Sequence, residues 1–476
     1  MKKNRHVNKV TLIDSLKILN FSVEKIAKDL KLPVQKLDLD YETNREIGHE
    51  LTPHEIDYIR NDVVIMAMAL DGIFKQKLTK MTIGSDALHH YKKINKNFKT
   101  YFPNIPYEID SDIRDSYKGG FTYLNDIYKE SETGPGIVFD YNSLYPSVML
   151  YEKLPFGQPL FFEGKYEHDP LYPLYVQKLV CTFKLKKGFL PTIQIKKNPA
   201  FVPNEYIKDS GDDPVVLMLT NVDLELFFKH YDVNIIKYDS GWKFKAIRGL
   251  FTEYIDYWSN QKIQAKKDDN GLMYMLSKLM LNSLYGKFGL NPKVRGKYPI
   301  LDEDGIVRYK FYDEEIRNSI YIPLATFVTS YGRSKTITAS QQIKEYTLKK
   351  YNKDLYVYSD TDSIHVLLDE NEINNLSEFL DIDDYQIGAL KLESKFRRGK
   401  YLRQKCYIED EYNPKISDYN LKVTVAGFPK KLSNLINFNN FKVGFTTEGM
   451  AIDKKKLTYK HVKGGVLLVN TDFTIK

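Results

Sequence analysis

Apolar positions recur at helical spacing in several stretches of the chain. Residues 23–30 (VEKIAKDL) and 52–70 (TPHEIDYIRNDVVIMAMAL) read as helices, the second with Thr52 as N-cap and Pro53 at the first helical position. Residues 271–289 read as a strong helix between two glycines. There Leu276, Met280 and Leu284 form a face expected to be buried, while Lys278, Asn282 and Tyr285 line another. Strand-like patterns appear elsewhere. Residues 355–368 read as two strands around a tight turn at Asp360-Thr361-Asp362. Residues 134–140 (GPGIVFD) read as a turn feeding a short buried strand that ends on a carboxylate. From about 152 to 250 the pattern suggests short β-like runs broken by proline and glycine, and 464–470 reads as a final strand. The basic stretch 89–99 (HHYKKINKNFK) reads as a linker between two units. There is no internal repeat and no low-complexity tract.

Length changes this picture, because 476 residues exceed what one core organises and imply about two to four domains. Composition does not: 42% hydrophobic and 28% charged is an ordinary globular mix. Seventy basic against 62 acidic residues give a formal charge of +8, a mild bias toward polyanionic partners that decides nothing alone. Cys181 and Cys406 lie far apart, without metal-ligand spacing, as in a reduced intracellular protein. The basic start MKKNRHVNKV lacks an apolar segment after it, and no apolar run approaches the ~18 residues of a membrane span. A soluble, cytosolic protein is expected.

The turn at Asp360 and Asp362 raises the chemical question. Aspartate is a common turn residue, and alone this pair reads as an exposed turn. Its flanks, LYVY and IHVLL, point instead to buried strands with only the tip in solvent. Two carboxylates there could chelate a hard cation such as Mg²⁺, which takes few protein carboxylates and favours phosphate oxygens. Such a site needs a further carboxylate, and Asp140 in IVFDYNSLYPSVM ends a strand that could lie beside the turn. Two cations about 4 Å apart could then serve an attacking hydroxyl and a leaving pyrophosphate. Lys278, Asn282 and Tyr285 offer an ammonium, an amide and a phenol in a row, a platform for a triphosphate and a base. Gly286 would let a nucleic acid approach closely. Each of these alone has an ordinary structural reading: a capped turn, or an amphipathic helix with a solvated side.

In this order, DYNSLYPS, KLMLNSLYG and YSDTDS resemble the palm and fingers motifs of family B DNA polymerases. The resemblance is closest to the protein-primed branch of small tailed Bacillus-type bacteriophages and linear plasmids, and covers essentially the whole chain. YKGGF (117–121) resembles the link between exonuclease and polymerase units, KCY (405–407) the primer-terminus motif, and NFKVGF (440–445) with the closing DFTIK the thumb. The implied fold is α+β: a right hand of palm, fingers and thumb (about 437–476), with two insertions at about 153–250 and 291–313. A partial ribonuclease H-like exonuclease domain would occupy 1–82 and the polymerase domain 83–476.

The resemblance implies roles residue by residue. Asp140 and Asp362 would bridge two Mg²⁺ or Mn²⁺ ions with the Tyr141 carbonyl as a further ligand, and Asp360 would support them less directly. Leu144 and Tyr145 would pack under the incoming sugar and exclude a 2′-hydroxyl. Lys278 would hold the triphosphate, joined by a second lysine that the pattern leaves open among Lys262, Lys266 and Lys267. Asn282 and Tyr285 would shape the nascent pair. Tyr117, Gly119, Gly120, Ser143, Gly286, Arg403, Lys405 and Tyr407 would contact primer or template. The implied reaction is template-directed nucleotidyl transfer from dNTPs to a primer 3′-hydroxyl, or to a hydroxyl of a terminal protein, in the cytoplasm of a bacterial host. A reverse transcriptase or RNA polymerase would share the metal chemistry, but the Tyr-Ser-Asp-Thr-Asp order and Tyr145 speak against both. An inactive remnant that only binds DNA is the non-enzymatic alternative.

The exonuclease motifs match only in part. Ser15 and Leu16 resemble a single-strand ligand, Lys36 and Asp38 the next motif, and Tyr58 and Asp62 the last. The first Asp-x-Glu pair is not in the chain. One carboxylate corner cannot hold two cations, so no proofreading is expected from this chain alone. A split or truncated gene is the expected origin, with a separate chain as a conceivable supplier of the missing strands. The helices from about 21 to 75 should then expose apolar faces.

Overall fold

The computed structural model describes residues 14–40, 48–194, 206–428, 430–447, 457–462, 465–470 and 473–476. Residues 12 and 13, the second half of LPTIQIKKNP, Gly464 and parts of the thumb-like tail lie outside them. The chain forms two compact units, Met1–Tyr101 with Gly249–Phe288, and Phe102–Arg248 with Gly289–Lys476.

The first unit is helical. Its N-terminal helices are Val23–Asp29, capped by Ser22, and Pro53–Lys75. Thr52 and Glu55 close a reciprocal capping box that starts the second helix at the expected residue. This helix runs one turn beyond the expected end. It buries Tyr58, Ile65, Ala69 and Ile73, while Ile56, Ile59, Val63 and Phe74 stay exposed. The basic stretch 89–99 is not a linker. Most of it is the second half of helix Ile83–Ile94, and the rest leads into the short helix Phe98–Tyr101. Tyr91 is fully buried and stacks on Phe251, and Lys92 and Lys93 fall in the last turn, where cations favour the helix dipole. The expected helix at 271–289 is Gly271–Phe288 and packs against Thr252–Lys267.

The second unit is built on an eight-stranded sheet among the described residues. Its order is Thr122–Leu124, Tyr356–Asp360, Ser363–Val366, Gly136–Tyr141, Leu390–Arg403, Cys406–Asn413 and Asp418–Val425, with Glu132–Thr133 pairing off Leu390–Arg403. Helix Ile322–Tyr351 packs on one face through Tyr141, whose hydroxyl donates to the Lys335 carbonyl, and through Ser340 against Ser359. Successive strand residues alternate faces, so Asp140 projects away from that helix. Sequence periodicity did not mark this 30-residue helix. It is buried on several sides and carries Thr326, Thr329, Ser330, Thr336 and Ser340 in its interior, which erases an amphipathic stripe.

The region 152–250 also corrects the expectation of short runs. It forms a four-stranded sheet ordered Leu154–Glu163, Tyr231–Ile247, Leu174–Leu185 and Val215–Thr220, plus helix Asn221–His230. The strand of 17 residues and its 12-residue neighbour are long. The misleading Gly157 and Pro159 sit in an irregularity of register between Phe156 and Leu160 on an edge strand, where such residues are tolerated. No described helix is long and apolar enough to cross a membrane.

Candidate active site

Two adjoining strand ends carry the acids. Gly136–Tyr141 and Ser363–Val366 are antiparallel, with Asp140 opposite Ser363, and the Tyr141 N–H donates to the Asp362 carbonyl at 2.8 Å. Asp140 and Asp362, remote in sequence, therefore meet at one edge of the turn. Between Asp360 and Asp362, Thr361 has φ +67°, a left-handed conformation unfavourable for a β-branched residue. The surroundings hold it there. Its N–H donates to the Phe121 carbonyl and its carbonyl accepts from Thr336 Oγ1, both at 2.7 Å. Gly120 lies so close that an added Cβ would stand 2.7 Å from the Thr361 side chain. Glycine is required at that contact.

Asp360 is held by three donors. It accepts from Lys405 Nζ at 2.6 Å, Thr122 Oγ1 at 3.2 Å and Tyr358 Oη at 3.3 Å. Tyr358 in turn accepts the Lys405 N–H at 2.9 Å. Tyr407 is buried among Tyr358 and Tyr401, and burial raises its phenol well above the ordinary range. Arg403 donates to the carbonyl of Lys476. Below this layer the buried His365 Nδ1 meets Glu409 Oε1 at 2.7 Å, and Tyr401 donates to the same carboxylate.

Asp362 is half-buried. Burial pushes its carboxyl above the usual range, and Asp360 and Glu393 add repulsion against the pull of its own N–H and of Lys405. Such a carboxylate gains from a nearby cation. Among the described residues, no group of three or more His, Cys, Asp or Glu side chains forms a metal cage. Two carboxylates with phosphate oxygens completing the shell are nonetheless what Mg²⁺ commonly takes, so the donor set fits.

Sequence reasoning missed Lys391, Glu393, Arg333 and Asp223. Lys391 lies directly opposite Asp140, and Glu393 is the extra residue at an irregularity between Leu392 and Ser394. The alternation of charged residues in LKLESK was the available signal. Arg333 donates to both the Lys118 and Gly119 carbonyls at 2.8 Å and pairs with the partly buried Asp223 at 2.7 Å. It thereby clamps the loop that carries Gly120. Its pattern within a buried helix gave no sign of this.

The remaining expected residues are placed as follows. Leu144 is buried and Tyr145 half-buried at the start of helix Leu144–Tyr151, after Ser143 at φ +58°. A Cβ on Gly332 would stand 2.9 Å from the Tyr145 ring, so that ring rests on bare backbone. Tyr117 is half-buried, with its hydroxyl against Gly289. In the helical unit, Leu276, Met280 and Leu284 are buried as expected, Lys278 and Asn282 are exposed and Tyr285 is half-buried. The space beside Gly286 is open. Lys262 and Lys266 lie one turn apart on helix Thr252–Lys267, and Lys267 ends it. Lys36 Nζ bonds Asp62 at 2.6 Å and Tyr58 Oη at 2.7 Å, so three of the exonuclease-like residues converge. Ser15 opens a short helical turn, Leu16 is exposed, and the carbonyl of the exposed Asp38 meets His54.

Residues 2–378, which include both acids, match the family described as DNA polymerase type B, organellar and viral. The DNA polymerase of Bacillus phage Nf is 46% identical over 98% of this chain and 80% of its own length. That of Streptococcus phage Cp-1 is 34% identical over 98% of this chain and 79% of its own length. The solved structure of phi29 DNA polymerase with primer-template DNA and incoming nucleotide superimposes with a TM-score of 0.87 at 45% identity, covering 97% of this chain and 80% of that one. On this family match and these relatives, the chain belongs to the type B DNA polymerases of the organellar and viral class and is a DNA polymerase of phage replication.

Proposed function

We propose that this chain extends a primer 3′-hydroxyl, or a hydroxyl of a terminal protein at initiation, by template-directed transfer from dNTPs inside the host cell. The observation that carries the reading is the meeting of Asp140 and Asp362 at adjoining strand ends. Asp140, Asp362 and the Tyr141 carbonyl would hold two Mg²⁺ or Mn²⁺ ions. Bound there, the ions supply charge neutralisation for the attacking hydroxyl and the departing pyrophosphate. Asp360 fixes Lys405, and with it the segment 405–407, against the turn, where a primer end is to be aligned. Tyr145 stands under the incoming sugar and refuses a 2′-hydroxyl. Lys278, with Lys262, Lys266 or Lys267, meets the triphosphate; Asn282, Tyr285 and Gly286 face the nascent pair. Tyr117, Gly119, Ser143 and Arg403 steady template and primer. The four-stranded sheet of 152–250 and the second insertion, about 291–313, where Lys297–Leu301 pairs with Val307–Phe311, are the surfaces for terminal protein and DNA.

Primer extension by the parent chain and by Asp362→Asn tests this reading. Synthesis is expected to vanish while DNA binding persists. Equal, salt-sensitive DNA binding with no synthesis by either protein would support a DNA-binding remnant instead.

A further inference from the structure

Lys391 is the cross-strand partner of Asp140, and residues directly opposite in an antiparallel pair share a face. Its ammonium stands 3.8 Å from Asp140 Oδ2 and 2.9 Å from Glu393 Oε2. The irregular register at Leu392/Ser394 frees Glu393 from regular pairing, and Glu393 lies close enough to repel Asp362. The Lys391 ammonium thus stands between two acids, Asp140 and Glu393. A divalent ion settling on Asp140 meets this ammonium at close range, where like charges repel. Glu393, at the shorter distance, gives the ammonium a second resting place.

We propose that Lys391 is a built-in competitor of the divalent cation at Asp140: it balances the acids when no ion is bound and sets the ion concentration the site needs. Glu393 is the position to which it withdraws. The inference rests on the metal-binding reading of Asp140 and Asp362 and adds a positioning residue to it.

The test is Mn²⁺ binding to the full chain, without DNA or nucleotide, followed by electron paramagnetic resonance. Lys391→Gln is expected to bind Mn²⁺ about fivefold more tightly than the parent, on the scale of a partly exposed ion pair. Lys391→Arg, which keeps the charge, is expected to stay within about twofold of the parent. Thermal melting gives an independent readout. In a chelator Lys391→Gln should melt below the parent, and added Mg²⁺ should narrow the gap. Unchanged or weaker Mn²⁺ binding by Lys391→Gln overturns the proposal. So does a raised KM for dNTP with unaltered Mn²⁺ affinity, which would make Lys391 a triphosphate ligand. Absence of Mn²⁺ binding that depends on Asp140, tested with Asp140→Asn, would defeat the underlying metal reading instead.

Discussion

The turn at Asp360 and the corner at Asp62 use the same side chains and hold them to different ends. Each sets a lysine against an aspartate at 2.6 Å, Lys405 on Asp360 and Lys36 on Asp62, with Tyr358 and Tyr58 respectively beside them. Around Asp360 the backbone is overdetermined: Phe121, Thr336 and the neighbouring strand fix a strained Thr361. Around Asp62 the lysine reaches across from residue 36 to one helix face, and the pair is about a quarter exposed on both sides. A side-chain triad does not make a site. What differs is whether the backbone carries further acids to the same place and keeps them there against their own repulsion.

The widest separation between the two regions should come from neutralising their acids. Asp362→Asn should reduce primer extension by about a thousandfold or more, the scale on which removal of a preorganised charge-stabilising group acts. Single-turnover extension at saturating dNTP measures it. Retention of substantial synthesis would mean the turn is not the chemical centre.

The support beneath the turn comes next. Arg333→Met leaves Asp223 without its ion-pair partner and the Lys118 and Gly119 carbonyls without the guanidinium donor. Breaking such a pair from one side costs about 3–5 kcal/mol, readable in urea denaturation. Arg333→Lys should recover little, because one ammonium cannot serve both carbonyls and both carboxylate oxygens. If Arg333→Met unfolds at the parent's midpoint, the turn is held by the sheet alone.

Legibility in the sequence followed the same divide. The strand that carries Asp140, the helix at 271–288 and the 360–362 turn were readable because strand and helix periods encode them. Arg333 and Asp223 were not, since their meaning lies in a contact between two helices, Ile322–Tyr351 and Asn221–His230, far apart in the chain. Lys391 and Glu393 were half-readable: the alternation was visible, but not which strand would face it. Residues 89–99 misled because lysines that complete a helix look, on composition alone, like a solvated linker.

A smaller effect concerns Lys118, buried in the loop that Arg333 clamps. Burial pushes its amine down to about 8, with Arg333 acting the same way and Asp223 opposing. An amine with a lowered folded pKa disfavours the folded state while charged in both states. Its penalty is full below about pH 8 and fades as pH rises toward the unfolded value near 10.4. The parent should therefore gain up to about 3 kcal/mol relative to Lys118→Met between pH 7 and 10.5. Parallel stability curves for the two proteins would show that this amine is solvated after all.

The smallest expected change is at the corner itself, and it sharpens the comparison most directly. Lys36 is held above its ordinary pKa: partial burial works against the charge, and the bonds to Asp62 and Tyr58 outweigh it. The pair is partly solvent-exposed, so its net worth is limited to about 1 kcal/mol or less. Asp62→Asn should shift the denaturation midpoint within that limit and leave primer extension within about twofold of the parent. The same substitution type at Asp362, differing only in the backbone that presents it, should abolish synthesis. Were Asp62→Asn to lose synthesis as Asp362→Asn does, presentation by a pinned turn would not be what separates the two aspartates, and the chemistry would have to be sought in the helical unit.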